Sequence, residues 1–122
     1  MSLNGARHDG RNDGATYIVG LGSYLPGEPV TNDAIAARLP DVPVADLMRY
    51  FGVEQRHFVV APDTGERTEK GLGTAELAYR AACAAIADAG LPLHEIDLVI
   101  TTTATPDVIM PPLARQLQRR LG

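Results

Sequence analysis

The sequence contains no tryptophan and a single cysteine, Cys83. With one thiol it can form neither an internal disulfide framework nor a cysteine-based zinc site. Lys70 is the one lysine among eleven basic residues, and fifteen acidic residues outnumber them. The net charge of −4 leaves no footprint for nucleic acid or an anionic membrane, so neither partner is expected. No apolar run approaches the roughly 20 residues that a membrane span requires. The opening MSLNGARHDGRNDGA lacks the apolar stretch of a secretory signal. Residues 1–15 therefore read as a disordered polar tail, and the chain as cytoplasmic. The three histidines, His8, His57 and His94, include no pair at the i, i+4 spacing of a helical metal site, and no metal is expected. What remains is 122 residues with 45% apolar content, enough for one small domain or part of a larger one.

The stretch TYIVGLGSYLPGEPVTN places two glycines, Gly20 and Gly22, after a β-type run. A dinucleotide-binding loop needs a third glycine where the crossover helix opens. Here that position is Leu25, followed by Pro26 and Gly27. Proline removes a backbone donor and clashes with a preceding helical turn, so no helix N-terminus forms an anion cradle there. The glycines read instead as places where neighbouring backbone packs close to a strand.

Along the chain, a strand is expected over 16–25. A short helix over 33–39 follows, capped by Thr31 or Asn32, then a second helix over 44–51 that stops at Gly52. Residues 53–60 read as extended, and 61–73 as an exposed loop in which Glu66 to Lys70 form a solvated, mixed-charge run. The strongest helical pattern covers 74–89, with Thr74 as N-cap and Gly90 as terminator. Its apolar face is mostly alanine and holds Leu77, Ala81, Ala85 and Ala89 at helical spacing. Such small side chains suit a helix buried close between layers. Cys83, amid these alanines, reads as a small buried apolar residue. A strand is expected over 96–103, where the continuous apolar run Leu98, Val99, Ile100 suits a parallel strand covered on both faces. A helix over 112–121 then begins at Pro112 and places Leu113, Leu117 and Leu121 on one face. Arg115, Arg119 and Arg120 read as a solvated helix face. Strand, helix, strand, helix implies α/β architecture with right-handed crossovers. A half-built parallel sheet leaves open edges, so the chain reads as the front of a larger domain.

The segments YIVGLGSYLPGEPVTN, FGVEQRH, ELAYRAACAAIADAGL and IDLVITTTATPDVIMPPLARQLQRRLG stand in one order and spacing. From Tyr17 to Gly122 this order resembles the start of β-ketoacyl-ACP synthase III enzymes, in the thiolase superfamily of condensing enzymes. The resemblance implies that 16–122 is the N-terminal part of a thiolase-like αβαβα domain with a mixed, largely parallel sheet. It implies decarboxylative Claisen condensation or acyl transfer through a cysteine thioester, in fatty acid or polyketide biosynthesis, with no cofactor. Acyl carrier protein or acyl-CoA is the implied substrate, and a homodimer the implied assembly. The nucleophilic cysteine of such enzymes would fall beyond Gly122, so no catalytic residue is expected here and this segment alone is expected to be inactive. The remainder of the fold, or a complementary chain, is the expected partner. His57 matches a structural histidine of the family.

For substrate contacts, the resemblance singles out Arg49, Tyr50 and Met110. Family members carry a tryptophan six residues before the glycine that corresponds to Gly52, and an arginine two residues before it. This chain has Asp46 and Tyr50 at those places, with Arg49 adjacent. An aspartate cannot stack on adenine and would repel phosphates, so a donor arriving on a carrier protein or another thioester is expected. Met110 matches the residue that reaches across the dimer to close the partner's acyl pocket. The alternative to an enzyme segment is a non-catalytic dimerisation module that pairs with a complete synthase.

Overall fold

The computed structural model describes residues 16–122; the expected tail over 1–15 lies outside the described residues. The elements, in order, are β1 (Val30–Thr31), α1 (Asn32–Ala36), α2 (Val44–Phe51), β2 (Gln55–Arg56), α3 (Thr74–Ala89), a 3-10 turn (Leu93–Glu95) and α4 (Leu113–Leu121). They pack as two groups: α1 against α2 and β1 on one side, α3 against α4 on the other.

Helix starts and stops follow local chemistry. The Thr31 hydroxyl caps α1 by accepting from the Ala34 amide at 3.3 Å. This helix ends before the expected residue 39, because Arg38 and Leu39 donate to Ile35 and Ala36 in tighter i→i−3 turns. The second helix has the bounds read from the sequence, and Gly52 terminates it at φ 68° in the left-handed region that favours glycine. Pro112 is the N-cap of α4 rather than its first helical residue.

The cap of α3 differs from the expectation in an informative way. Thr74 is the first helical residue, and Gly73 at the cap offers no side chain. The cap comes from a distant turn instead. Asp107 Oδ1 accepts from the Thr74 amide and Oδ2 from the Ala75 amide, both at 2.8 Å. One carboxylate thus satisfies two orphan donors and meets the positive end of the helix.

Among the described residues the only ladder joins β1 and β2, antiparallel, pairing Val30 with Arg56 and Thr31 with Gln55. The expected strands at 16–25 and 96–103 carry no ladder. Strands pair only where another extended backbone runs alongside about 4.8 Å away, and among the described residues neither segment has a ladder partner. Large aliphatic side chains on them are correspondingly exposed: Ile18 is 83% exposed, Leu98 73% and Ile100 84%.

The glycines explain how 16–25 sits. A Cβ on Gly20 would lie 2.5 Å from the Ala85 carbonyl and 2.7 Å from Ala89 Cβ; one on Gly22 would lie 2.2 Å from the Ala85 amide nitrogen. The segment runs antiparallel to α3 in direct contact with its alanine face. Two residues of extended chain advance about 6.6 Å, and four residues of helix about 6 Å. Glycines two apart therefore meet alanines four apart in register. The Leu21 amide, between them, donates to Asp88 Oδ2 at 3.0 Å.

The core is small: Val44, Leu72, Ala75, Leu113 and Leu117 are buried. Leu72 corrects the reading of 61–73 as an exposed loop, because it is fully buried. The loop is pinned above it. The Arg67 guanidinium donates to the Leu72 carbonyl, and Thr68 N donates to Val59 O at 2.9 Å.

Candidate functional site

Arg49 and Tyr50 lie in the last turn of α2, and both are exposed. Arg49 Nη2 stands 3.7 Å from Asp46 Oδ1, three residues earlier on the same helix. Both side chains of this pair are solvent-exposed. The Tyr50 ring meets Phe51 edge-on, with centroids 5.2 Å apart. Met110 sits on the turn that enters α4, and is 73% exposed. The three side chains therefore stand on different element pairs, Arg49 and Tyr50 with α1–α2 and Met110 with α3–α4.

The turn bearing Met110 is held at both ends. On one side Asp107 grips α3, and the Thr74 hydroxyl donates to the Thr105 carbonyl at 2.6 Å. On the other, Gln116 Nε2 donates to the Pro111 carbonyl at 2.8 Å. Between these anchors Val108, Ile109 and Met110 are exposed.

Cys83 is half-buried rather than buried, on the middle of α3. It shares a cavity of about 320 Å³ with Tyr79, Ile86, Leu93 and Leu121. Tyr79 lies one turn earlier, and the neighbouring thiol pushes its phenol above the ordinary pKa. A nucleophilic thiolate needs a helix N-terminus or a cationic neighbour; a phenol at mid-helix supplies neither.

The charged cluster with the most contacts lies elsewhere. Arg80 of α3 donates through Nε to Glu76 at 2.9 Å and through Nη1 to Glu69 at 2.7 Å. Its guanidinium also covers the Tyr24 ring, 4.7 Å from the centroid. The Tyr24 hydroxyl donates to Glu69, and Arg120 of α4 donates to the other Glu76 oxygen. Charge alternates from Glu69 to Arg80 to Glu76 to Arg120, joining the 61–73 loop, α3 and α4. The Tyr24 hydrogen bond, with Arg80 beside it, holds the Glu69 carboxyl below the usual carboxylate range; the same bond raises Tyr24. The three arginines read as solvated, Arg115, Arg119 and Arg120, are all exposed, and Arg120 also belongs to this chain of charges.

In the other group, His57 Nδ1 lies 3.0 Å from the Pro26 carbonyl and 3.1 Å from that of Gly27, so this nitrogen carries the proton. Its role is to fasten the proline turn. Asn32 bridges Val53 O, at 2.8 Å, and Arg56 Nη2. Arg56 Nη1 is buried without an acceptor among the described residues, at the wall of an apolar cavity of about 240 Å³. Among the described residues no group of three His, Cys, Asp or Glu side chains could hold a metal ion, and no helix is long and apolar enough to cross a membrane.

No protein-family model matches the chain. Curated relatives do. It is 38% identical over 109 residues to the β-ketoacyl-[acyl-carrier-protein] synthase III of Bordetella petrii, covering 86% of this chain and 30% of that protein. Against the enzymes of the same name from Rickettsia massiliae and Rhodospirillum rubrum, identities are 42% and 40%, over 86% and 88% of this chain and again 30% of each relative. Among solved structures, AbyA1, a tetronic acid condensing enzyme, matches with a TM-score of 0.71 and 36% identity, covering 85% of this chain and 31% of that one. The 3-oxoacyl-(acyl carrier protein) synthase III of Pseudomonas aeruginosa PAO1 matches at 0.64 and 40%, over 85% and 28% of the two chains. The backbone thus shares the α/β, thiolase-like fold of condensing enzymes over the matched part. The chain is a homologue of β-ketoacyl-ACP synthase III that spans about 30% of the length of those relatives.

Proposed function

We propose that these residues are the N-terminal segment of a β-ketoacyl-ACP synthase III-like acyltransferase, with the nucleophile on polypeptide outside the 122 residues. The whole enzyme would take an acyl group as a cysteine thioester and perform decarboxylative condensation or acyl transfer, as a cytoplasmic homodimer. A thiolate attacks the donor thioester, and backbone or side-chain donors stabilise the oxyanion that develops. This segment would supply scaffold and substrate walls. The observation that carries the reading is the pair of segments at 16–25 and 96–103. They stand in the family's order yet have no ladder, and their apolar side chains are bare. Burying a large aliphatic side chain contributes roughly 1.5–3 kcal/mol, so a complementary chain that covers Ile18, Leu98 and Ile100 has a strong reason to bind.

Within this reading, Met110 lines an acyl pocket, and Arg49 and Tyr50 face the incoming donor. The Asp46–Arg49 pair leaves little net positive charge for a nucleotide phosphate, which favours a donor carried on acyl carrier protein over free coenzyme A.

Co-expression with polypeptide matching the remaining part of a relative tests the reading. The two chains are expected to purify together and, given an acyl donor, to gain an acyl mass on a cysteine of the complement, with Cys83→Ala loading as well as the wild type. A chain that stays compact alone and takes the acyl group on Cys83 refutes it.

A further inference from the structure

We propose that Asp107 is a positioning residue for acyl-chain selectivity: by gripping the start of α3 it fixes the apolar tip Val108–Ile109–Met110. The inference rests on the reading that Met110 faces an acyl chain. Three consecutive apolar side chains on an irregular turn would ordinarily fold back on the molecule or sample many rotamers, and ordering them on binding would cost affinity. Here both ends of the turn are tied. The Asp107 carboxylate accepts from two successive amides of the sixteen-residue helix, and the Thr74 hydroxyl adds a third bond to Thr105. The approach is close: a Cβ on Gly73 would lie 2.5 Å from Asp107 Oδ1 and would displace the carboxylate. Past the tip, Gln116 holds Pro111 to α4. The tip is therefore exposed and set in place before substrate arrives, and its position is referred to the longest helix described.

A helix cap alone would affect stability and leave substrate preference untouched. The test separates the two in the complete protein. The ratio of kcat/KM for butyryl over octanoyl thioesters is measured for wild type, Asp107→Asn, Thr74→Val, Met110→Ala and the Asp107→Asn/Met110→Ala pair, with melting curves alongside. Asparagine keeps one acceptor but cannot serve both amides. Asp107→Asn is expected to move the ratio in the same direction as Met110→Ala, by about tenfold, the lower end of what a one-methylene misfit in an apolar pocket produces. The double variant should move it by less than the product of the two single changes, since both act on the same apolar tip. Thr74→Val, which leaves the carboxylate intact, should give a smaller shift in the same direction, and supplies the comparison if Asp107→Asn fails to fold. If Met110→Ala shifts the ratio while Asp107→Asn and Thr74→Val alter only the melting temperature, the inference is wrong and the Met110 reading stands. If Met110→Ala leaves the ratio unchanged, the Met110 reading itself is wrong.

Discussion

Replacing Gly22 by alanine probes the contact between 16–25 and α3. Gly22 has no positive φ, so alanine meets no backbone penalty there. At such a site Gly→Ala ordinarily stabilises by about 0.4–1 kcal/mol, because the unfolded chain loses freedom. The structure reverses that sign. The added Cβ would fall 2.2 Å from Ala85 N, 2.3 Å from Ala81 O and 2.9 Å from Ala84 C. All three are helix backbone atoms and cannot swing aside. Non-bonded heavy atoms settle no closer than about 3.5 Å, so the segment must withdraw by about 1.3 Å. Overpacking of this kind costs about 1–3 kcal/mol. Withdrawal also stretches the 3.0 Å bond from Leu21 N to Asp88. With the entropic gain subtracted, a net loss of about 1–2 kcal/mol is expected. Urea denaturation of the complete protein, followed by the helical signal, gives the number, with Ser23→Ala as control, expected within about 0.5 kcal/mol of wild type. A Gly22→Ala protein as stable as wild type, or more so, refutes the close contact.

Asn32→Ala removes a bond to Val53 and leaves Arg56 with both terminal nitrogens unsatisfied, so a loss of about 2–3 kcal/mol is expected. A shift in the urea midpoint worth less than about 1 kcal/mol would remove Asn32 from the framework. The Glu69 carboxyl is held below its ordinary 4.5 by Tyr24 and Arg80. Its folded pKa therefore lies below the unfolded value, and its stabilisation is present above about 4.5 and lost as pH falls through the folded value. Glu69→Gln should flatten the acid side of the melting-temperature profile, and an unchanged profile would exclude the carboxyl as its source. Calorimetric titration of the complete enzyme with acetyl-CoA should detect no micromolar binding, given Asp46 beside Arg49; saturable binding in that range contradicts the carrier-protein preference.

Much of the framework was legible because it depends on neighbours in sequence. The bounds of α2 and α3, and the terminators Gly52 and Gly90, follow from short-range capping and periodicity. The glycine pair was readable as a place of close approach, and the alanine face as a surface that permits one, though the match of their spacings needed the structure. What could not be read joins residues far apart. Asp107 lies 32 and 33 positions from the amides it caps, and nothing local marks it apart from a turn-forming aspartate. Leu72 is hidden in a run of loop-forming residues, where a single leucine carries no periodic signal. Glu69, placed in a solvated run, is half-buried because Arg80 and Tyr24 reach it from other elements. For the candidate site, the sequence named Arg49, Tyr50 and Met110 but not the anchors around Met110. Those anchors are backbone and carboxylate contacts that only the folded turn assembles.

The bare rows at 16–25 and 96–103 also govern how the polypeptide behaves before anything covers them. Their outward side chains are aliphatic, including Ile18, Val19, Leu98 and Ile100. Stickiness from such surfaces has little ionic character: added sodium chloride should hardly weaken self-association, sulfate should promote it, and cooling should loosen it. Dilution and low temperature, rather than buffer strength, are the conditions that keep this polypeptide from clumping.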